Sequence, residues 1–214
     1  MKLLLGKEAY DLVSKTLDVV SNETVQDIEE AKKQAEKFSY PVVLKLISEK
    51  ALHKTELGAV KIIHDAVELE KAFSDLEKID KENKLKADFL MQEFVEGNEV
   101  ILGLKYDETF GHVIMLGVGG VLVELLKDVS FRACPITEED ADSMIQDLKV
   151  RELLLGYRGK KTNIKLLKEI LVNLSKLPEK TEKNKNGRIE ELDINPLIIN
   201  GKVAKAVDVR VVLE

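Results

Sequence analysis

Two aspartates and an asparagine near the end of the chain form the pattern with the sharpest chemical meaning. The stretch EELDINPLIINGKVAKAVDVRV alternates apolar and polar residues on either side of Asn200-Gly201, the preferred pair for a two-residue type I′ hairpin turn. With that turn Ile199 faces Lys202, and counting back sets Asp193 directly opposite Asp208, with Asn195 on the same face as Asp193. Carboxylates so placed, beside Leu192, Ile194, Val207 and Val209, repel each other, and a positive group is expected between them. Two carboxylates and an amide oxygen make a hard donor set that suits magnesium and its phosphates and suits zinc or copper poorly. Arg210, on the same face, is the competing explanation, because a guanidinium neutralises a carboxylate without a metal. A solvated open side of a hairpin is the third. Pro196 confines its strand to an edge or an irregular segment.

Three further segments hold candidate chemistry. YPVVLKLI is an apolar strand with one lysine in its middle, and an ammonium buried there needs an anion such as phosphate, unless Lys45 sits on an edge strand and guards it against aggregation. His53, Lys54, Thr55 and Glu56 follow in a polar connection that reads as a phosphate loop or as a plain hairpin, with His53 a nucleophile, a ligand or a surface residue. FLMQEFVEGNEVILGL joins two apolar strands through Glu96-Gly97-Asn98, a connection whose main chain can read an adenine edge. GVGGVLVELLKDVSF has glycines that let backbone approach a ligand, but neither a Walker lysine nor the GxGxxG order, so P-loop and Rossmann folds are excluded.

These segments need a scaffold. Apolar stripes predict helices over Val25 to Phe38, capped by Ser21 or Thr24, over Val67 to Ile79, and over Ile164 to Leu177, ended by Pro178; a fourth helix starts after Thr137, ahead of three acidic residues. Strands are predicted at 41–47, 58–64, 88–94, 99–104, 112–116, 189–199 and 202–213. The mixture of hairpins and crossovers predicts an α+β chain of two α/β lobes, residues 1–90 and 91–214. The 214 residues are 44% hydrophobic and 34% charged, a globular balance. The net charge of −6 argues against a nucleic-acid partner, and no apolar run reaches the roughly 20 residues of a membrane span. The N-terminal apolar run is too short for a signal peptide, which leads to the expectation of a cytoplasmic protein. The single Cys134 rules out an intrachain disulfide and reads as a small core residue.

Taken in order, YPVVLK, HKTELGAVK, LMQEFVEGNEVILG, GVGGVLVELLKDVSFRACPIT, GYRGKK and ELDINPLII with the downstream Asp208 resemble the ATP-grasp beta subunit of ADP-forming acetyl-CoA synthetase, a relative of succinyl-CoA synthetase. The resemblance implies an ATP-grasp fold with the nucleotide, ATP or ADP with Mg2+, bound between two lobes. It implies that Lys45 holds phosphates, that Gln92, Glu93, Phe94 and Val95 form the adenine hinge, and that Glu99 lies near the ribose. Asp193, Asn195 and Asp208 match the magnesium ligands, His53 matches a histidine that carries phosphate transiently, and Glu124 could orient an imidazole. A CoA-binding alpha subunit is the implied partner in a hetero-oligomer, since no CoA-binding domain is recognisable. The sequence departs from the family at ELGAV, where relatives often have adjacent glycines. Another ATP-grasp ligase that activates carboxylates, and a nucleotide-sensing module without turnover, are the competing functions.

Overall fold

The computed structural model describes residues 1–50, 58–119, 128–156, 162–183 and 187–214. Helices and antiparallel strands alternate as the α+β expectation requires. The described residues divide into two compact units, Val20–Val95 and Met1–Val19 with Glu96–Glu214.

In the unit Val20–Val95, β2 (Asn22–Val25), β5 (Asp88–Glu93), β3 (Val42–Ile47) and β4 (Val60–Ile63) form an antiparallel sheet in the order β2-β5-β3-β4. The helices α2 (Ile28–Phe38) and α3 (Ala66–Asn83) pack on one face of it, against Val42, Leu44, Leu46, Ile63 and Met91. The cap of α2 is Asp27, whose carboxylate accepts from Glu30 N–H, and Val25 ends β2; the cap expected at Ser21 or Thr24 therefore lies within the preceding strand region. Aspartate at this position satisfies an orphan N–H and favours the positive end of the helix dipole. The α3 cap repeats the device, Asp65 accepting from Val67 and Glu68 N–H. Ala59 is fully buried and its carbonyl accepts from Leu46 N–H, so this departure from the double-glycine pattern begins the β3–β4 ladder.

In the second unit the sheet order is β1-β11-β9-β6-β7-β8, with β10 also paired to β9. These are β1 (Lys2–Leu4), β6 (Asn98–Asp107), β7 (Gly111–Val118), β8 (Val129–Ala133), β9 (Ile189–Ile199), β10 (Ala204–Ala206) and β11 (Val209–Leu213). Pairing of β1 with β11, and packing of α1 (Gly6–Val13) on β11, place the first 19 residues in this unit, where the sequence division at residue 90 had them in the first lobe. Leu102, Leu104, Ile114, Leu116, Leu192, Ile194, Val209 and Val211 are at most 2% exposed and form the helix-covered face, with α4 (Glu138–Asp147) and α6 (Ile164–Ser175) among the elements packed there. A Thr137–Asp140 capping box starts α4, as its acidic first turn foretold. Pro178 does not end the third predicted helix: α6 stops at Ser175, and Pro178 lies in the first turn of α7 (Leu177–Lys183), where a missing N–H costs nothing. The described elements also include α5 (Glu152–Leu155).

Candidate functional site

The Asn200-Gly201 hairpin is wider than a type I′ turn. Asn200 Oδ1 accepts from both Lys202 and Val203 N–H, and Asn200 N–H bonds to Val203 O, so the side chain closes a four-residue turn. Ala204 therefore pairs with Ile199, and the register slides by two residues from the expected one. Asp193 faces Arg210 rather than Asp208. Asp208 lies opposite Asn195, its main-chain oxygen accepting from Asn195 N–H at 3.1 Å. A shift of two leaves the regularly paired residues, Asp193 and Arg210 among them, on their predicted face and sets Asp208 opposite Asn195. Between Leu197 and Ile194, β9 places Asn195 and Pro196 against the single Ile101 of β6, and Val207 and Asp208 occupy the matching interval before β11. This irregular stretch lets Pro196 sit in an interior strand, the second of the two placements its sequence allowed.

The face turned away from the helices reads, in one cross-strand row, Arg210, Asp193, Gly103, Met115 and Phe131, and in the next Val212, Glu191, Lys105, Val113 and Ala133. Because Gly103 has no side chain, a depression of about 420 Å3 opens there, with Asp193 and Glu191 at one end and Met115 and the half-exposed Phe131 at the other. Burial, then the charges of Asp208 and Glu191, push the Asp193 carboxyl up to about 6, and Arg210 opposes this more weakly. Negative charge thus exceeds positive around Asp193, which Arg210 does not cancel. Hard oxygen donors on an irregular strand pair, with a surplus of negative charge, fit a magnesium ion. Among the described residues no three His, Cys, Asp or Glu side chains form a metal cluster; the amide of Asn195 is part of the donor set that fits. Glu191, two residues before Asp193 and on its face, is a member of this site that the sequence reading passed over; the alternation that located Asn195 also points to it.

The folded Asp193 binds its proton between the unfolded value near 3.8 and about 6, so without metal this group makes stability fall as pH rises through that window. The loss is at most about 3 kcal/mol, and smaller to the extent that solvent screens a half-buried carboxylate. Asp193→Asn is expected to remove this slope and to melt higher than the wild type at pH 8 in chelator. Thermal melts from pH 4 to 8 check it; equal slopes would contradict it.

Lys45 lies in β3, an interior strand, between Val60 and Leu90, and is 2% exposed. The edge-strand explanation is thereby removed. Lys45 and the fully buried Gln92 lie on the same side of their sheet, opposite the face that packs on α2 and α3. Glu93 ends β5: its N–H donates to Ser21 O, and its carboxylate accepts from Ser21 N–H at 2.6 Å, which ties the strand end to the residue before β2. Phe94 is 37% exposed and Val95 intermediate. Glu99, the second residue of β6, lies opposite Ile198, and its carbonyl accepts from Gly119 N–H at 2.6 Å. A Cβ on Gly119 would lie 2.6 Å from Glu99 Cβ, so only glycine allows this approach. A Cβ on Gly97 would meet Ile199 O at the same distance, and Asn200 Nδ2 donates to Glu96 O, fixing the turn before Glu99 to the end of β9. His53 and Glu124 lie outside the described residues. Cys134 is half-buried with its thiol pushed up to about 12, an unreactive form.

Residues 1–213 match the ATP-grasp domain family. This chain is an ATP-grasp protein. Within that family it is 40% identical, over 191 residues, to the beta subunit of acetate–CoA ligase [ADP-forming] I of Pyrococcus furiosus, covering 86% of this chain and 80% of that one. It is 39% identical over 212 residues to 4-hydroxybutyrate–CoA ligase [ADP-forming] of Nitrosopumilus maritimus, 95% of this chain but only 29% of that longer protein. The fold superposes on acetyl-coenzyme A synthetase 1 of Candidatus Korarchaeum cryptofilum, bound to coenzyme A and Ca-AMPCP, with a TM-score of 0.90 at 37% identity, covering 100% of this chain and 94% of that one. The same enzyme, with coenzyme A and Mg-AMPPCP and its phosphohistidine segment pointing towards the nucleotide binding site, gives a TM-score of 0.81 at 36% identity, with 100% and 93% covered. This ATP-grasp chain thus belongs with the beta subunits of ADP-forming acetate–CoA ligases. None of its described helices is long and apolar enough to cross a membrane.

Proposed function

We propose that this ATP-grasp chain is the nucleotide-binding beta subunit of an ADP-forming acyl-CoA synthetase, with acetyl-CoA the reference substrate, and that it works with a CoA-binding alpha subunit. The overall reaction is acyl-CoA, ADP and phosphate to acid, CoA and ATP. The observation that carries this reading is the surplus of negative charge at Asp193, which lies near Asp208 and Glu191, with Asp208 bonded through its backbone to Asn195. The ADP-forming relatives and the bound nucleotide analogues of the Korarchaeum enzyme support it.

Asp193, Asn195 and Asp208 would hold Mg2+, which when bound would supply neutralisation of the charge on the phosphoryl oxygens. Lys45 supplies a point cation for nucleotide phosphates. The main chain of Gln92 to Val95 takes the base, and Glu99, held by Gly119, takes the ribose. His53 receives the phosphoryl group from the alpha subunit and passes it on. In that step the P–N bond to the imidazole breaks, its electron pair returns to the ring nitrogen, and a P–O bond forms to the terminal oxygen of ADP. Splitting one long transfer in two is the use of a nucleophilic imidazole, and Glu124 orients the ring.

Incubating the chain, its alpha subunit and Mg2+ with γ-labelled ATP is expected to leave acid-labile label on the beta chain, lost in His53→Ala together with turnover. Full turnover in His53→Ala would favour a carboxylate-activating ligase that has no use for the histidine. Binding of nucleotide with no label in any chain would favour a sensing module.

A further inference from the structure

Arg210 is the register partner of Asp193 and shares the face opposite the helices, yet the function described so far gives it no task. Among the described residues its ion pair is with Glu191, Nη1 to Oε1 at 3.5 Å, with the two side chains 39% and 45% exposed. That distance is at the outer limit of a hydrogen bond. The Nε atom is buried and makes no hydrogen bond among the described residues. A buried donor left unmet is costly, the more so on a charged group. Other arginines in the chain are better served. Arg132 donates to Ser130, Phe131, Ser143 and Asp147, and Arg188 pairs with Glu190 and Glu214 at 2.7 Å each.

A guanidinium kept only to neutralise the acidic face would turn to Asp193, its direct neighbour, whose carboxyl is the more buried of the two acids. It reaches Glu191 instead, with one edge, and leaves the Nε edge open. Neighbouring strands are about 4.8 Å apart, so this edge and the Asp193 carboxylate address the same small volume above the sheet. A planar fork of N–H donors beside a cation-binding carboxylate is suited to an oxyanion that the cation also holds.

We propose that Arg210 binds an oxygen of the phosphoryl group in transfer, with Glu191 as the positioning residue that holds its other edge. This rests on the reading of Asp193, Asn195 and Asp208 as the holders of a cation and its phosphate. The oxygen belongs to the terminal phosphate of the nucleotide or to a phosphohistidine, and the two sources differ in the bond that carries the phosphorus.

Calorimetry on the full chain separates them, using three probes with Mg2+: ADP, a non-hydrolysable ATP analogue, and phosphoramidate added to the ADP-loaded protein as a stand-in for the P–N bonded group. Arg210→Gln is expected to weaken the ATP analogue at least tenfold and ADP less than twofold if the nucleotide carries the phosphoryl group. It loses phosphoramidate uptake, with the ATP analogue unchanged, if a phosphohistidine does. Either pattern supports the proposal. Arg210→Lys keeps the charge without the fork and is expected to show the same pattern, which gives a readout should Arg210→Gln fold poorly. Variants that match the wild type within twofold for every probe overturn the proposal, as does an equal loss for ADP and the ATP analogue accompanied by a lower melting temperature, which would mark a structural role. Failure here leaves the wild-type uptake of Mg·ADP intact; a wild-type chain that takes up no magnesium-bound nucleotide overturns this proposal and the proposed function together.

Discussion

Asp208→Ala is expected to lower phosphoryl transfer by about 10³-fold, or roughly 4 kcal/mol of transition-state stabilisation, in a protein that stays folded. The fold should tolerate the change because the link to β9 is made by the backbone, Asp208 O accepting from Asn195 N–H. Removing the side chain also relieves repulsion, since Asp208 is the charge that most raises the Asp193 carboxyl after burial. The metal-free variant should therefore melt at or above the wild-type temperature while losing activity. Paired measurement of turnover and melting separates the two effects. A variant that is inactive because it is unfolded would assign Asp208 to the scaffold.

Lys45→Met should have the next largest effect, weakening Mg·ATP binding by about 100-fold, near 3 kcal/mol. The lysine is in an interior strand and 2% exposed, so methionine of similar length fills its place without a cavity. Affinity and folding again move separately: the circular dichroism spectrum is expected to be unchanged while the titration weakens. Retained affinity would contradict the assignment of Lys45 to the phosphates.

Much of this was legible in the residues. The Thr137 cap and the period-two strands follow from local pattern, whereas the α2 cap expected at Ser21 or Thr24 lies at Asp27. The turn was misjudged by two residues, an error that preserves the face of regularly paired residues such as Asp193. The error arose from Asn200, whose side chain closes a longer turn than Asn-Gly usually makes. Long-range pairing was not legible: nothing local shows that Lys2–Leu4 joins β11, or that the Lys45 strand is interior. Nor could the sequence show that Gly119 abuts Glu99, or that Arg210 pairs with Glu191 and not with Asp193, since each depends on which strands become neighbours.

The resemblance to ADP-forming synthetases joined these pieces in the right order, and the ATP-grasp match over residues 1–213 bears it out. Around Asp193 negative charge is in surplus. That surplus costs stability without a cation and is useful with one.

The most direct measurement is a calorimetric titration of ADP into the chain with magnesium and, separately, with chelator. The account predicts saturable uptake only when magnesium is present, and its loss in Asp208→Ala. Equal uptake in chelator, or undiminished magnesium-dependent uptake by that variant, would contradict it.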